Sequence, residues 1–353
     1  QVTNATKTDS SAGQGTEVII NEKSDNDANT LEITLDAVSS FSNAVGFGID
    51  KINFANYETV TIHSDKNSAG TIKDNEVRTL TATATKTLNF DGAADLRISD
   101  LTTGSLGLST VDATGLTGKF QIDNMSAGTA AVLGTTYKLP NGKNTIAFGG
   151  TLNGKDTVTG GSHPTDSISF SASDLTATTG ALNITDIETI TATTGSSNTF
   201  DLSGVTGAST FSVTENAQKF TNYDTGSKLV LEARGVSGSS NGTATFNVTA
   251  ADSTGDSDTL YLRQDIANNA NVTNTLTSTG IEILDLEVED SETTGANKST
   301  WTLTKFDGTT INVTRGSDDI AEDTASVDLG LLHKNTVNVD TSDIKGTQAV
   351  NAT

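Results

Sequence analysis

Apolar and polar residues alternate along much of this chain, as in Leu31-Ile33-Leu35 and along residues 184–190. Alternation of that kind sends one side of a strand to a core and the other to water. It predicts strands at 17–20, 31–35, 51–54 and 57–62. Thr79, Thr81, Thr83, Thr85 and Thr87 read as the outward row of one strand leading into 88–90. Such a row suits a solvated strand face, and Thr-x-Thr rows also form the faces of ice binders. Almost no segment places apolar residues at i, i+3, i+4 and i+7, and the best helical candidate is a short turn at 264–270. The chain is therefore expected to be all β.

Three short steps recur in a fixed order. The first opens a strand: Asn29-Thr30-Leu31, Asp166-Ser167-Ile168 and Asp258-Thr259-Leu260. The second carries a glutamate: Tyr57-Glu58-Thr59-Val60, Ile187-Glu188-Thr189-Ile190 and Ile281-Glu282-Ile283-Leu284. The third is a turn, Val111-Asp112-Ala113-Thr114-Gly115-Leu116-Thr117-Gly118. It returns as Phe200-Asp201-Leu202-Ser203-Gly204-Val205-Thr206-Gly207 and, more loosely, at residues 339–346. The glutamates fall at 58, 188 and 282, far enough apart to mark modules rather than single coils. The expected organisation is an N-terminal extension, 1–24, followed by β modules at 25–150, 151–250 and 251–353. Each module fits several coils of a parallel β-solenoid; the alternative is tandem β-sandwich domains.

Composition narrows the choice. Only 33% of residues are hydrophobic and the net charge is −23, values that also suit a disordered chain. Regular alternation, with Thr, Val and Ile for strands and Gly, Asn and Asp for turns, argues for a folded one. Acidity disfavours nucleic acid, which needs a basic surface, and favours divalent cations. The chain has no cysteine, which excludes disulfides and thiolate chemistry. It has no apolar run of about 18 residues, so no membrane span is expected. Gln1 follows no signal-peptide pattern and there is no initiator Met, as expected of a processed product or a segment of a longer chain.

Candidate chemistry centres on carboxylates. His63, His163 and His333 are scattered, without the spacing of a zinc site or the partners of a triad. Aromatic residues make up 5%, few for a sugar-binding cleft, and no enzyme activity is expected. Calcium takes six to eight oxygens from carboxylates and carbonyls on a flexible turn. Asp25, Asp27 and Asn29 alternate on one such turn, and Asp252, Asp256 and Asp258 surround Gly255. Asp318 and Asp319 follow Gly316. In the middle of the chain, Asp156 and Asp166 stand at the comparable places. These ten residues are the expected Ca2+ ligands.

Gly154-x-Asp156-x-Val158, then Gly160-Gly161 and Asp166-x-Ile168, resemble degenerate RTX calcium-binding nonapeptides. The second copy departs from the pattern, since His163-Pro164 replace Gly-x and Asp166 comes one residue late. With the Asp-Ser-Ile, Ile-Glu-Thr-Ile and Val111-to-Gly118 steps, the texture of residues 25–346 resembles bacterial surface-layer proteins exported by type I secretion. That resemblance implies an extracellular structural protein at the cell surface. It further implies calcium-dependent folding, lattice assembly with copies of itself, and attachment to cell-surface polysaccharide through a region outside this chain. The alternatives are the repeat region of a secreted calcium-binding adhesin and a β-helical polysaccharide-active enzyme.

Overall fold

A computed structural model describes residues 17–21, 29–36, 49–55, 57–65, 74–104, 107–127, 134–171, 181–193, 198–213, 218–224, 228–233, 242–251, 257–266, 271–290, 298–303, 306, 308–315, 326–329, 338–340 and 350–351. Their regular structure is all strand, and the strands stack in parallel as a β-solenoid. The chain divides into two compact units, the first mainly up to Asp174 and the second mainly from Ala208 onward.

In the first unit successive strands alternate between two sheets, except that the short Met125–Ala127 follows Phe120–Ile122 in the same sheet and pairs with Leu96–Thr103. One sheet takes Glu17–Asn21, Ile49–Ala55, Asn75–Ala82, Leu96–Thr103, Phe120–Ile122, Asn144–Ala147 and Ser167–Ser171, in that order. The other takes Thr30–Asp36, Thr59–Asp65, Thr87–Gly92, Thr110–Leu116, Thr136–Lys138, Thr157–Thr159 and Asn183–Thr185. Apart from that insertion, a strand pairs with the next-but-one in sequence, the connectivity of a coil rather than of a sandwich. The second unit repeats the scheme. Lys228–Ala233, Thr259–Ile266, Ile283–Asp290 and Thr310–Arg315 form one run, and Gln218–Tyr223, Gly242–Ala250, Asn271–Thr279, Lys298–Leu303 and Ser326–Asp328 the other.

Parallel pairing in register turns the alternation of each strand into ladders along the coil axis. Leu31, Val60, Leu88, Val111, Tyr137, Val158 and Ile184 stack as one buried row. Ile49, Val77, Ile98, Ile122, Ile146 and Ile168 form another in the facing sheet. In the second unit, Phe200 stacks on Phe220 at 5.4 Å, and Phe211 packs edge-on against both. Such ring pairs add about 0.5–1.5 kcal/mol beyond their buried area. A two-layer core of this kind is thin, so few aromatic side chains suffice to fill it.

Two local expectations are corrected. The Thr79–Thr87 row is not one strand. Asn75–Ala82 and Thr87–Gly92 belong to different sheets, and the chain turns between them with Thr85 buried. Where a helical turn was expected from residue 264, the strand Thr259–Ile266 continues through 266; 267–270 lie outside the described residues. Pairing of Gln264, Asp265 and Ile266 with Val288, Glu289 and Asp290 overrides the weak helical pattern there.

The ladders predict a sharp contrast between neighbours. Ile122→Ala opens a hole between Ile98 and Ile146 and is expected to cost about 2–5 kcal/mol. Thr145→Ala, exposed on the other side of the same sheet, is expected to stay within about 0.5 kcal/mol. Urea unfolding of the two variants measures both.

Candidate functional site: the acidic corners of the coils

The residue that opens a strand has just turned a corner, and its N–H lies outside the regular ladder. Buried backbone donors of this kind need a partner. The glutamate of the second step supplies it from the adjacent coil. Asn29 N–H donates to Glu58 Oε2 at 2.9 Å, Asp166 N–H to Glu188 Oε2 at 2.8 Å, and Asp258 N–H to Glu282 Oε2 at 3.0 Å. The return bonds are backbone. Thr59 N–H donates to the Asn29 carbonyl, Thr189 N–H to that of Asp166, and Ile283 N–H to that of Asp258. The first two sequence steps are thus the two halves of one clamp, repeated three times.

Asp156 and Asp166 act in the same way. Asp156 Oδ1 accepts Thr135 N–H at 2.6 Å and its Oδ2 accepts Asn153 N–H at 2.8 Å. Burial pushes the Asp156 carboxyl above the usual range, and the Thr135 and Asn153 donors only partly offset it. Asp166 is fully buried. Its Oδ1 accepts Asn144 N–H at 2.9 Å, while Oδ2 accepts the Asn144 amide at 2.9 Å and Gly161 N–H at 3.3 Å. A carboxylate has about four acceptor sites, so most of Asp166 is spent on these donors. The Gly160-Gly161 pair threads between coils: a Cβ on Gly160 would sit 1.7 Å from the Asp186 carbonyl oxygen, and one on Gly161 2.0 Å from that of Pro140. Backbone approach this close excludes any side chain.

The third step is an Asx turn. Asp112 Oδ1 accepts Thr114 N–H at 3.1 Å and the Thr114 hydroxyl at 2.6 Å; Asp201 Oδ1 accepts Ser203 N–H at 3.0 Å. Its closing glycine, Gly207, has φ +82°, a conformation that β-carbon sterics disfavour. The Asn222 amide, aided by Ser203 and against burial, holds the Asp201 carboxyl below the usual range. Burial works upward on Asp112 too, but Thr114 and Lys138 outweigh it and its carboxyl also lies low.

Of the expected calcium ligands, Asn29, Asp156, Asp166 and Asp258 are described, and each stands where a strand opens. Asp25, Asp27, Asp252, Asp256, Asp318 and Asp319 lie outside the described residues. Among the described residues no three His, Cys, Asp or Glu side chains converge as a metal group. Asp258 differs from Asp166, however: its Oδ2 is buried and accepts no hydrogen bond. Sequence reasoning missed Asp74 and Asp95. Burial, then the Asp95 charge, raises the Asp74 carboxyl, and Asp95 Oδ1 accepts Lys119 N–H at 2.8 Å. Their signal was an acid immediately before a strand, the place Asp166 and Asp258 also hold. Of the histidines, His63 meets Asp91 at 2.5 Å on an outward face, and His163 accepts from Thr165 within its own turn. Comparison with protein-family models, curated proteins and solved structures finds no match.

The clamps predict the stability of the coil. Glu188→Ala strands the Asp166 N–H and is expected to cost about 1–3 kcal/mol. Glu188→Gln keeps an acceptor and is expected to cost less, as denaturant titrations will show. Asp201 has a lowered folded pKa, so its contribution is complete above the ordinary value of 3.8 and lost as pH falls through the lowered one. Half-buried and reached by solvent, it contributes modestly. Asp201→Asn keeps the turn acceptor but cannot titrate, so its acid unfolding curve should be slightly flatter below pH 3.8.

Proposed function

We propose that this chain is a structural segment of a bacterial cell-surface layer: extracellular, non-catalytic, calcium-stabilised and self-assembling. One observation carries the reading. The three steps that resemble surface-layer sequences fall on corners and turns of stacked coils, where they close each coil. A stack of coils held by corner clamps is a stiff, extendable element whose nearest-neighbour contacts suit load-bearing. Two further features support calcium. Asp258 offers a buried carboxylate oxygen with no donor, beside Asp252 and Asp256 in sequence. Burial and then the Asp95 charge raise the Asp74 carboxyl, and a divalent cation would offset both.

A cation bound only by the folded chain stabilises it by about 2.7 kcal/mol per site at a hundred times Kd. EGTA is therefore expected to lower the melting temperature markedly relative to millimolar Ca2+, with Mg2+ restoring it poorly because it dehydrates reluctantly. Asp256→Asn with Asp258→Asn should reduce the calcium stoichiometry in isothermal titration. Superimposable melting curves with EGTA and with Ca2+ would remove calcium from the proposal. Electron microscopy after recrystallisation with Ca2+ is expected to reveal ordered sheets. A chain that remains monomeric at every calcium level, or extends only as single rods, favours the adhesin repeat instead.

A further inference from the structure

Every outward sheet face described in the first unit carries ions. Glu32, Asp91, Asp112 and Lys138 punctuate one, and Asp50, Glu76, Arg78, Arg97 and Asp123 the other. In the second unit, Lys228, Arg263, Asp285 and Glu287 share a face. The face made by Gly242–Ala250, Asn271–Thr279 and Lys298–Leu303 is different. Its outward positions are Thr245, Asn247 and Thr249; Thr273, Thr275, Thr277 and Thr279; and Thr300 and Thr302, with Lys298 preceding the block. Thr275 lies in register with Thr245 and Thr302, Thr273 with Thr300, and Thr279 with Thr249. The nine positions, eight threonines and Asn247, form a grid without a charge.

The charges stand at its rims, with opposite signs. Lys219, exposed, pairs in register with Asn247 and so continues the Thr277 rank on one side. Asp328 pairs with Thr300 and continues the Thr273 rank on the other. Thr275 lies midway between these two ranks on the central strand. A two-fold axis in the plane of the face, passing over Thr275, lays Lys219 of each copy over Asp328 of the other.

We propose that this threonine grid is a contact face between two copies of the chain, related by that two-fold axis and flanked by two Lys219–Asp328 pairs. The inference rests on the self-assembly proposed above and names the surface that performs it. Two acidic chains repel over most of their area, and a self-complementary contact forms where like meets like without charge. The grid covers a few hundred Å2 by sheet spacing, less than the roughly 800 Å2 per partner of a stable dimer. Such a contact is weak alone and effective where each copy meets several neighbours at once.

A charge swap tests it. Lys219→Asp places Asp against Asp at both rims, and Asp328→Lys places Lys against Lys. Each single variant is expected to raise the protein concentration needed for ordered sheets about tenfold. The double variant restores opposite charges between copies and is expected to assemble like the wild type. Circular dichroism and melting temperatures establish that all four proteins fold alike. Four proteins that assemble equally, or a double variant as impaired as the singles, overturn the inference while leaving the surface-layer reading intact. A wild type that forms no sheet removes that reading. Sedimentation of the same four proteins then decides the face: loss of dimer in the singles and recovery in the double sustains it, and monomers throughout end it.

Discussion

The coil depends on closing its corners. Within a parallel sheet the ladder satisfies the N–H groups of both strands, but a chain leaving one sheet for the other must turn, and the donors at the turn fall out of the ladder. Left unpaired in the interior they would cost about 1–3 kcal/mol each. Here carboxylates from the adjacent coil accept them, at Glu58, Glu188 and Glu282 and again at Asp156 and Asp166. An ionised acceptor makes a shorter and stronger hydrogen bond than a neutral one. Because acceptor and donor lie on different coils, each bond also fixes the register between them. One interaction therefore closes the coil and stacks it.

Register has a consequence for the surface. Residues in equivalent positions stack at the strand spacing of about 4.8 Å, and like charges at that distance repel even in water. A chain of net charge −23 gains by separating acids along its ladders. Several of its outward ladders do so by alternating partners, although Asp36 stands in register with Asp65, and Glu232, Asp265 and Glu289 follow one another. Asn124 donates to Asp100, Asn222 to Asp201 and Asn312 to Asp285. Lys138 meets Asp112, and Arg97 bridges Asp123 and Glu76. Asn124, Asn222 and Asn312 thus help to reconcile a strongly acidic composition with a tightly stacked fold.

The strands were legible because alternation depends only on which side of each strand is wet. Solenoid and sandwich share that period, so the choice between them waited on which strands pair, a long-range property. The three ordered steps were also visible, but their meaning was not. Opening step and glutamate step lie one coil apart, as Asn29 to Glu58 and Asp166 to Glu188, and only the fold reveals that this interval is a bond length in space. The Thr79–Thr87 row misled because the corner at 83–86 contains no Pro or Gly to announce it. Asp74 and Asp95 escaped notice because each is a single acid, without the clustering that drew attention to Asp252, Asp256 and Asp258.

The corners also divide the acids by what remains for a cation. Asp166 meets three N–H donors, and the positive ends of those dipoles repel a metal from the oxygens they occupy. Such a residue holds the fold together with protein donors alone. Asp258 keeps its N–H clamp to Glu282 yet leaves a buried oxygen without a donor. An unpaired carboxylate oxygen in the interior is costly. The RTX-like spacing around Asp156 and Asp166 and the acidic cluster ending at Asp258 thus offer a metal very different electrostatic settings, although both open a strand. Strand-opening acids filled by amides bind neighbouring coils directly, whereas Asp258 keeps an acceptor that no amide fills.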